Sequence, residues 1–419
     1  VKKRPALLAI LGHREPRLLI TGQTVSSFGD GIANVALTLL VLDTTHSVSK
    51  LAVFAAARMI PLVAFLLIGG VIVDRFSRRV LLLISDLARA LLTAAVVAFI
   101  ATGTLRYWEL LVFAFLFGCF DALFMPAISA LTPEIVPEEL LPAMNALRPL
   151  ANNFVGQMIG PAVGGLLAAW STSFAIGVDC ATFVVSAGAL FVMHATPNPQ
   201  RSEGTNMLDE IRTGLRYVRQ RTWIWTTLAG VTLGNALIFT PMGVLLSFYL
   251  RNDLHSSKAV VGYLFATFGL AGALGALYAG SMSMPRRRIR FMWAWWTFGA
   301  LSALTLGIAT HTWEVFIFPV LATPTIYLGN VVWESMLQTE VPRELLGRVT
   351  SVDWFVSLGL SPVGLIVAGI LSDHIGIRTY FVVIGLVCTV PGAIILTSKR
   401  INTVDADRVA ARETTTSEP

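Results

Sequence analysis

Nine charged residues stand inside stretches that are otherwise apolar: Asp30, Arg58, Asp86, Arg89, Asp121, Arg148, Asp179, Glu334 and Asp353. The carboxylates among them can take up and release a proton, whereas a guanidinium stays charged and serves only as a fixed countercharge. If these stretches cross a membrane, each charge costs about 2.5–3.5 kcal/mol at the bilayer centre, so it must face a cavity or a partner. Asp30 sits midway along its apolar run, on a helix face shared with Thr24, Ser27, Asn34 and Thr38, which recur three or four residues apart. That stripe is expected to line a water-filled cavity. Two readings of Asp30 stay open: it binds a transferable proton, or it is locked in a structural pair with Arg58. Asp86 and Arg89, three residues apart, are expected to pair within one helix. Arg148 and Asp353 either pair in one state of the molecule or reach separately to water. Asp179 and Glu334 are further cavity candidates without an assigned partner. Trp333 and Trp354 can serve either as packing or as flat walls for an aromatic or cationic ligand. Trp293, Trp295 and Trp296, near the start of an apolar run, are expected at a membrane interface.

The elements that must position these residues follow from composition. The 419 residues are 55% hydrophobic and 13% charged, with a mean hydropathy of +0.71. Water cannot be the solvent for most of such a chain. A helix needs roughly 20 apolar residues to cross the hydrocarbon core, where every backbone polar group must be bonded internally. Apolar runs of that length fall near 18–42, 50–73, 80–103, 107–130, 145–169, 172–193, 223–250, 258–281, 291–310, 314–337, 350–371 and 375–397. The expected fold is therefore all-α and polytopic, with twelve transmembrane helices.

Twelve spans put both ends on one side. The segments on that side hold 23 of the 31 Lys and Arg and the opposite segments five, leaving Arg58, Arg89 and Arg148 within spans. The positive-inside rule then makes both termini cytoplasmic. The same asymmetry explains the formal charge of +6 without nucleic acid. Cys119, Cys180 and Cys388 lie within apolar runs with no metal-ligand spacing and read as core residues. No cleavage site follows the first apolar run, so it is expected to remain as an anchor. A membrane enzyme or scaffold finds little support: no loop is long enough for a catalytic domain, and neither an H-E-x-x-H nor a P-loop occurs.

The chain also repeats itself. Pro137-Glu138-Glu139-Leu140-Leu141 matches Pro342-Arg343-Glu344-Leu345-Leu346, and Gly29-Asp30 matches Gly234-Asn235, both 205 residues apart; Ser49-Lys50 matches Ser257-Lys258 at 208. This suggests two related six-helix bundles, 1–193 and 223–399, with a linker at 194–222 and a cytoplasmic tail at 400–419. Within the linker, Met207 to Arg219 alternates apolar and basic residues at helical spacing and reads as a surface helix. Two such halves are expected to hold a substrate site at the midplane between them. Asn235, the counterpart of Asp30, is polar but cannot titrate.

Two motifs narrow the class. After the second span the chain reads Gly70-Val71-Ile72-Val73-Asp74-Arg75-Phe76-Ser77-Arg78-Arg79. This resembles the G-x-x-x-D-R-x-G-R-R loop of the major facilitator superfamily, with Ser77 replacing the usual glycine of the turn. Span 5 carries Gly156-Gln157-Met158-Ile159-Gly160-Pro161-Ala162-Val163-Gly164-Gly165. It is similar to the G-x-x-x-G-P-x-x-G-G element of drug/proton antiporters, although the longer form of that element has a glycine where Leu147 stands. Phe28-Gly29-Asp30-Gly31, Arg58-Met59-Ile60-Pro61, Phe120-Asp121-Ala122 and Asn145-Ala146-Leu147 are similar to the bacterial branch that includes the enterobactin exporter and macrolide or tetracycline efflux proteins.

The resemblance, which covers all twelve spans, implies a secondary transporter in the bacterial inner membrane working by alternating access. It implies export of an amphiphilic drug, antibiotic or siderophore in exchange for protons, with no cofactor beyond the proton gradient and no partner beyond substrate, protons and lipid; the chain is expected to be a monomer. A proton-coupled importer of the same superfamily is the alternative. The resemblance further implies that Asp74 and Arg78 latch the two halves on the cytoplasmic side, with Asp121 as a partner for Arg78.

Overall fold

A computed structural model describes residues 10–75, 77–137, 140–141, 144, 147–148, 152–194 and 207–398; the side chains at 66–75, 125–126, 130, 153, 207–211, 343–344 and 347 lie outside that description. Thirteen helices are used below as α1 (Arg14–Thr45), α2 (Val48–Arg75), α3 (Arg78–Thr102), α4 (Tyr107–Ile135), α5 (Asn152–Ile159, wide-wound, running into Gly160–Trp170), α6 (Thr172–Val192) and α7 (Met207–Gln220). They continue with α8 (Thr222–Asp253), α9 (Lys258–Ser281), α10 (Arg288–Ile308) and α11 (Thr312–Glu340). The series ends with α12 (Arg343–Gly359, then Ser361–Ile375) and α13 (Ile377–Thr397). Eleven are long and apolar enough to cross a membrane. The twelfth expected span appears as the shorter apolar helix Phe154–Trp170, because much of the stretch preceding it lies outside the described residues. The fold is all-α, with no strand among the described residues.

Turns between spans are short. α3 closes on Gly103 at φ 67° and α12 on Gly376 at φ 79°, left-handed positions that favour glycine. Many large apolar side chains point outward, among them Leu91, Phe191, Leu277 and Ile308 at 69–78% exposure. Such a surface suits lipid rather than water. The buried core of the first half gathers Leu19, Leu82, Ile128, Leu131 and Leu190; that of the second gathers Trp223, Met292, Trp293, Trp333 and Met336.

The chain separates into two compact units: residues 1–204 with 246–269, and 205–245 with 270–419. The sequence repeat, by contrast, draws the halves at 1–193 and 223–399. The end of α8 and the start of α9 belong with the first unit because specific contacts hold them there. Asp43 accepts from Lys258 at 2.6 Å and stands 3.7 Å from Arg251. A Cβ on Gly165 would come within 2.7 Å of the Cα of Gly262, and one on Gly269 within 2.6 Å of the Gln157 carbonyl oxygen. In the second unit α7 is the expected linker helix, docked on α12: a Cβ on its Gly214 would meet the Arg348 carbonyl at 2.9 Å, and the Tyr217 hydroxyl donates to the Glu340 carbonyl at 3.3 Å.

The span 5 glycines have a packing role on two sides. Cβ atoms built at Gly156, Gly160 and Gly164 would stand 3.1, 2.9 and 2.7 Å from backbone or Cα atoms of Ser27, Gly31 or Phe28, and Ile32 on α1, while Gly165 faces α9. Backbone-to-backbone contact of this kind is how helices associate where lipid removes the hydrophobic drive. The second unit repeats it. A Cβ on Gly364 of α12 would stand 2.0 Å from the carbonyl of Ala236 on α8, positions 204 and 205 residues beyond Gly160 and Gly31. Gly164→Leu is therefore expected to destabilise the protein by about 1–3 kcal/mol through overpacking. Gly177→Leu, on a face with nothing within 4 Å of the new Cβ, should leave the unfolding temperature of purified protein unchanged, so thermal unfolding of the pair checks the assignment.

Candidate functional site

The intramembrane charges of the first half converge. Arg89 on α3 is 2% exposed and its guanidinium lies 2.5 Å from Asp86, the expected helical pair, and 3.5 Å from Asp121 on α4. Its flat cation also stacks 4.5 Å from the ring centroids of Phe124 and Phe183. Arg58 on α2 pairs with the other oxygen of Asp121 at 3.5 Å and lies 4.6 Å over Phe117. A Cβ on Gly118 would fall 2.1 Å from the Arg58 carbonyl, so only glycine lets α4 approach α2 this closely. Asp121 is thus shared between two arginines on two helices.

Two pairings that the sequence left open or suggested are placed elsewhere. Arg58 is paired with Asp121 and not with Asp30. Arg78 is paired with Glu134 at the end of α4, not with Asp121, because Asp121 is taken deeper in the bundle. Arg79 donates to the carbonyls of Leu190 and Phe191 at 2.7 and 2.6 Å, closing the end of α6. Gly70, Asp74 and Arg75 lie in α2, but their side chains fall outside the described residues.

Asp30 and Asp179 complete the cluster. Gly29 brings α1 against α6 so tightly that a Cβ there would stand 1.9 Å from the Thr182 hydroxyl and 2.7 Å from Asp179 Oδ1. Asp30, the next residue, feels the charges of Arg89, Asp121, Arg58 and Asp86, and Asp179 feels that of Asp30. Neither has a guanidinium of its own among the described residues, and Asp179 is 1% exposed with Oδ1 unbonded. Asp30 is half-buried, as are Thr24, Ser27 and Thr38, and Asn34 is exposed, so the polar stripe keeps an open side.

The second half holds a cavity of about 400 Å³ lined by residues of α8, α10, α11, α12 and α13. Trp333 and Trp354 line it, joined by Trp293 and Trp296. The latter two were expected at a membrane interface; the rotation of α10 instead turns Trp293, 4% exposed, into the core. Trp293 and Trp296 meet edge to face at 5.6 Å, as do Trp223 and Trp333 at 5.7 Å. Trp333 Nε1 donates to Asp353 Oδ2 at 3.0 Å, the Ser357 hydroxyl to Asp353 Oδ1 at 3.2 Å, and Asn235 Nδ2 to the Ser357 carbonyl at 3.1 Å. Glu334 lines the same cavity, exposed and without a hydrogen bond or ion pair among the described residues. Arg148 and Asp353 each have a local partner: Arg148 donates to the Thr132 hydroxyl at 3.3 Å. Sequence reading missed Phe117, Phe124 and Phe183 as partners of the buried arginines, since apolar rings in apolar runs carry no signal of their own.

Twelve apolar helices with a duplicated glycine crossing and charges gathered inside the bundle are the makings of a secondary transporter of the major facilitator type. The chain matches the family model MFS_3, transmembrane secretion effector, over residues 6–419, and it belongs to that family. It is 30% identical over 417 residues to the multidrug efflux pump Tap of Mycolicibacterium fortuitum, covering 94% of this chain and 98% of the relative. It is 24% identical over 375 residues to macrolide efflux protein A of Streptococcus pyogenes, covering 87% and 91%. In fold it is similar to an inward-facing bacterial homologue of the iron transporter ferroportin, with a TM-score of 0.71 at 16% identity over 93% of this chain and 99% of that one. The chain is a multi-pass membrane transporter and not an enzyme.

Removing one member of a buried ion pair leaves the other uncompensated, at a cost of about 3–5 kcal/mol. Arg89→Met is therefore expected to lower the unfolding temperature far more than Arg58→Met, whose side chain is 29% exposed. The double variant Asp86→Asn with Arg89→Met should recover part of the loss, measured by thermal unfolding in detergent.

Proposed function

We propose that the protein is a proton-coupled exporter of an amphiphilic small molecule, such as a drug, antibiotic or siderophore, in the bacterial inner membrane with both termini cytoplasmic. The relatives named as efflux pumps support export, and the Lys and Arg distribution supports the orientation. The observation that carries proton coupling is the charge count of the first half. Among the described residues the cations facing Asp30, Asp86, Asp121 and Asp179 are Arg58 and Arg89, so the described cluster carries two uncompensated negative charges when every group is ionised. Uncompensated charge in a dehydrated interior is costly, and a bound proton relieves it. Asp86 and Asp121 are engaged by the arginines, which leaves Asp30 and Asp179 to hold the proton. Asp30, half-buried on the polar stripe, is the group that exchanges it with water. Proton release and substrate release then favour different states of the protein, the condition for coupling.

The test is proton movement in inverted membrane vesicles carrying an imposed pH gradient, followed with a pH-sensitive dye. Adding a transported compound should dissipate the gradient, and Asp30→Asn or Asp179→Asn should reduce that response to background while leaving protein in the membrane. A response in Asp30→Asn equal to wild type removes Asp30 as carrier. Co-movement of compound and proton in the same direction would instead make the protein an importer.

A further inference from the structure

The cavity of the second half has a composition that selects charge. Its walls include Phe239, Trp296, Trp333 and Trp354, and among the described residues the formally charged ones lining it are Glu334 and Asp353, with no Lys or Arg. A volume of about 400 Å³ lies in the range of small-molecule sites, roughly 300–1,000 Å³. Aromatic faces attract cations through their negative quadrupole, Trp most strongly, and repel anions. The two carboxylates differ in their commitments. Asp353 accepts from the Trp333 indole and the Ser357 hydroxyl, which fixes the carboxylate and the indole plane together. Glu334 has no such bonds among the described residues and is free to follow a ligand. Trp354 is 55% exposed, so one aromatic wall is open rather than packed.

We infer that this cavity binds lipophilic organic cations, seated against Trp296, Trp333 and Trp354 with Glu334 as the mobile counter-ion and Asp353 as the fixed one. The inference rests on the exporter reading, for which it names the substrate class. Neutral amphiphiles gain the aromatic contacts but not the carboxylates. Anions of the same size meet two like charges and, among the described residues, no cation.

Tetraphenylphosphonium and tetraphenylborate have nearly the same shape and opposite charge, so they separate charge selection from hydrophobicity. Equilibrium binding of each to the purified full chain in detergent should show saturable binding of the phosphonium and at least roughly tenfold weaker binding of the borate. Glu334→Gln should weaken phosphonium binding, and Trp354→Leu should weaken it roughly three- to tenfold; among the described residues neither has a hydrogen bond to lose. Equal affinity for the two ions, or phosphonium affinity unchanged in both variants, would overturn the inference. Binding requires no proton movement, so the outcomes separate. Selective phosphonium binding in a protein that moves no protons would sink the coupling proposal alone, whereas proton movement driven by neutral compounds with equal binding of both ions would sink the cation site alone.

Discussion

A guanidinium cannot shed its charge inside a bilayer, and Arg89 is almost wholly buried there. The first half is arranged around that constraint. Its own helix supplies Asp86, α4 supplies Asp121 and Phe124, and α6 supplies Phe183. Arg58 on α2 uses the same Asp121 and a neighbouring ring, Phe117. Four helices are thereby fixed in mutual register by two cations. The arrangement also decides which acids remain available: the arginines engage Asp86 and Asp121, and among the described residues Asp30 and Asp179 are left without a cation of their own.

Register along α1 is set differently, by absence of side chains. Gly29 admits Thr182 and Asp179 from α6, and Gly31 admits Gly156 and Gly160 from α5. Small residues on both partners allow backbones to touch and dispersion forces to accumulate where lipid offers no hydrophobic gain. The same crossing recurs between Ala236 and Gly364 in the second half. The packing geometry thus recurs while the chemistry differs: the position after Gly29 is an aspartate, and the position after Gly234 an asparagine whose amide donates to Ser357.

What the sequence makes legible is whatever is local or periodic. The apolar runs give the spans, helical spacing gives Asp86 with Arg89, and glycines four apart give the close face of α5. Pairings across helices depend on rotation and depth, which no run of residues encodes alone. Arg58 lies at a depth compatible with either Asp30 or Asp121, and the close contact at Gly118 selects the second. Arg78 finds Glu134 because both stand at neighbouring helix ends. Trp293 and Trp296 sit near the start of a span, where an interfacial role is expected, yet the face of α10 that carries them turns inward. The allegiance of 246–269 to the first unit rests on Asp43, a residue more than 200 positions earlier, and on the close approaches of Gly262 to Gly165 and of Gly269 to Gln157.

On the proposed reading the two halves each accommodate a cation, a proton in one and an organic cation in the other. Exchange of one for one carries no net charge across the membrane, so the electrical potential would contribute nothing and the pH gradient alone would drive export. The pair Asp30 and Asp179 has capacity for a second proton. Each additional charge moved per cycle brings in about 2.3 kcal/mol per 100 mV. On that reading the number of carboxylates that Arg58 and Arg89 leave unpaired among the described residues would set an upper limit on how steeply this cluster can concentrate a monovalent substrate outside, and the arginines, which never titrate, would be the residues that fix the stoichiometry.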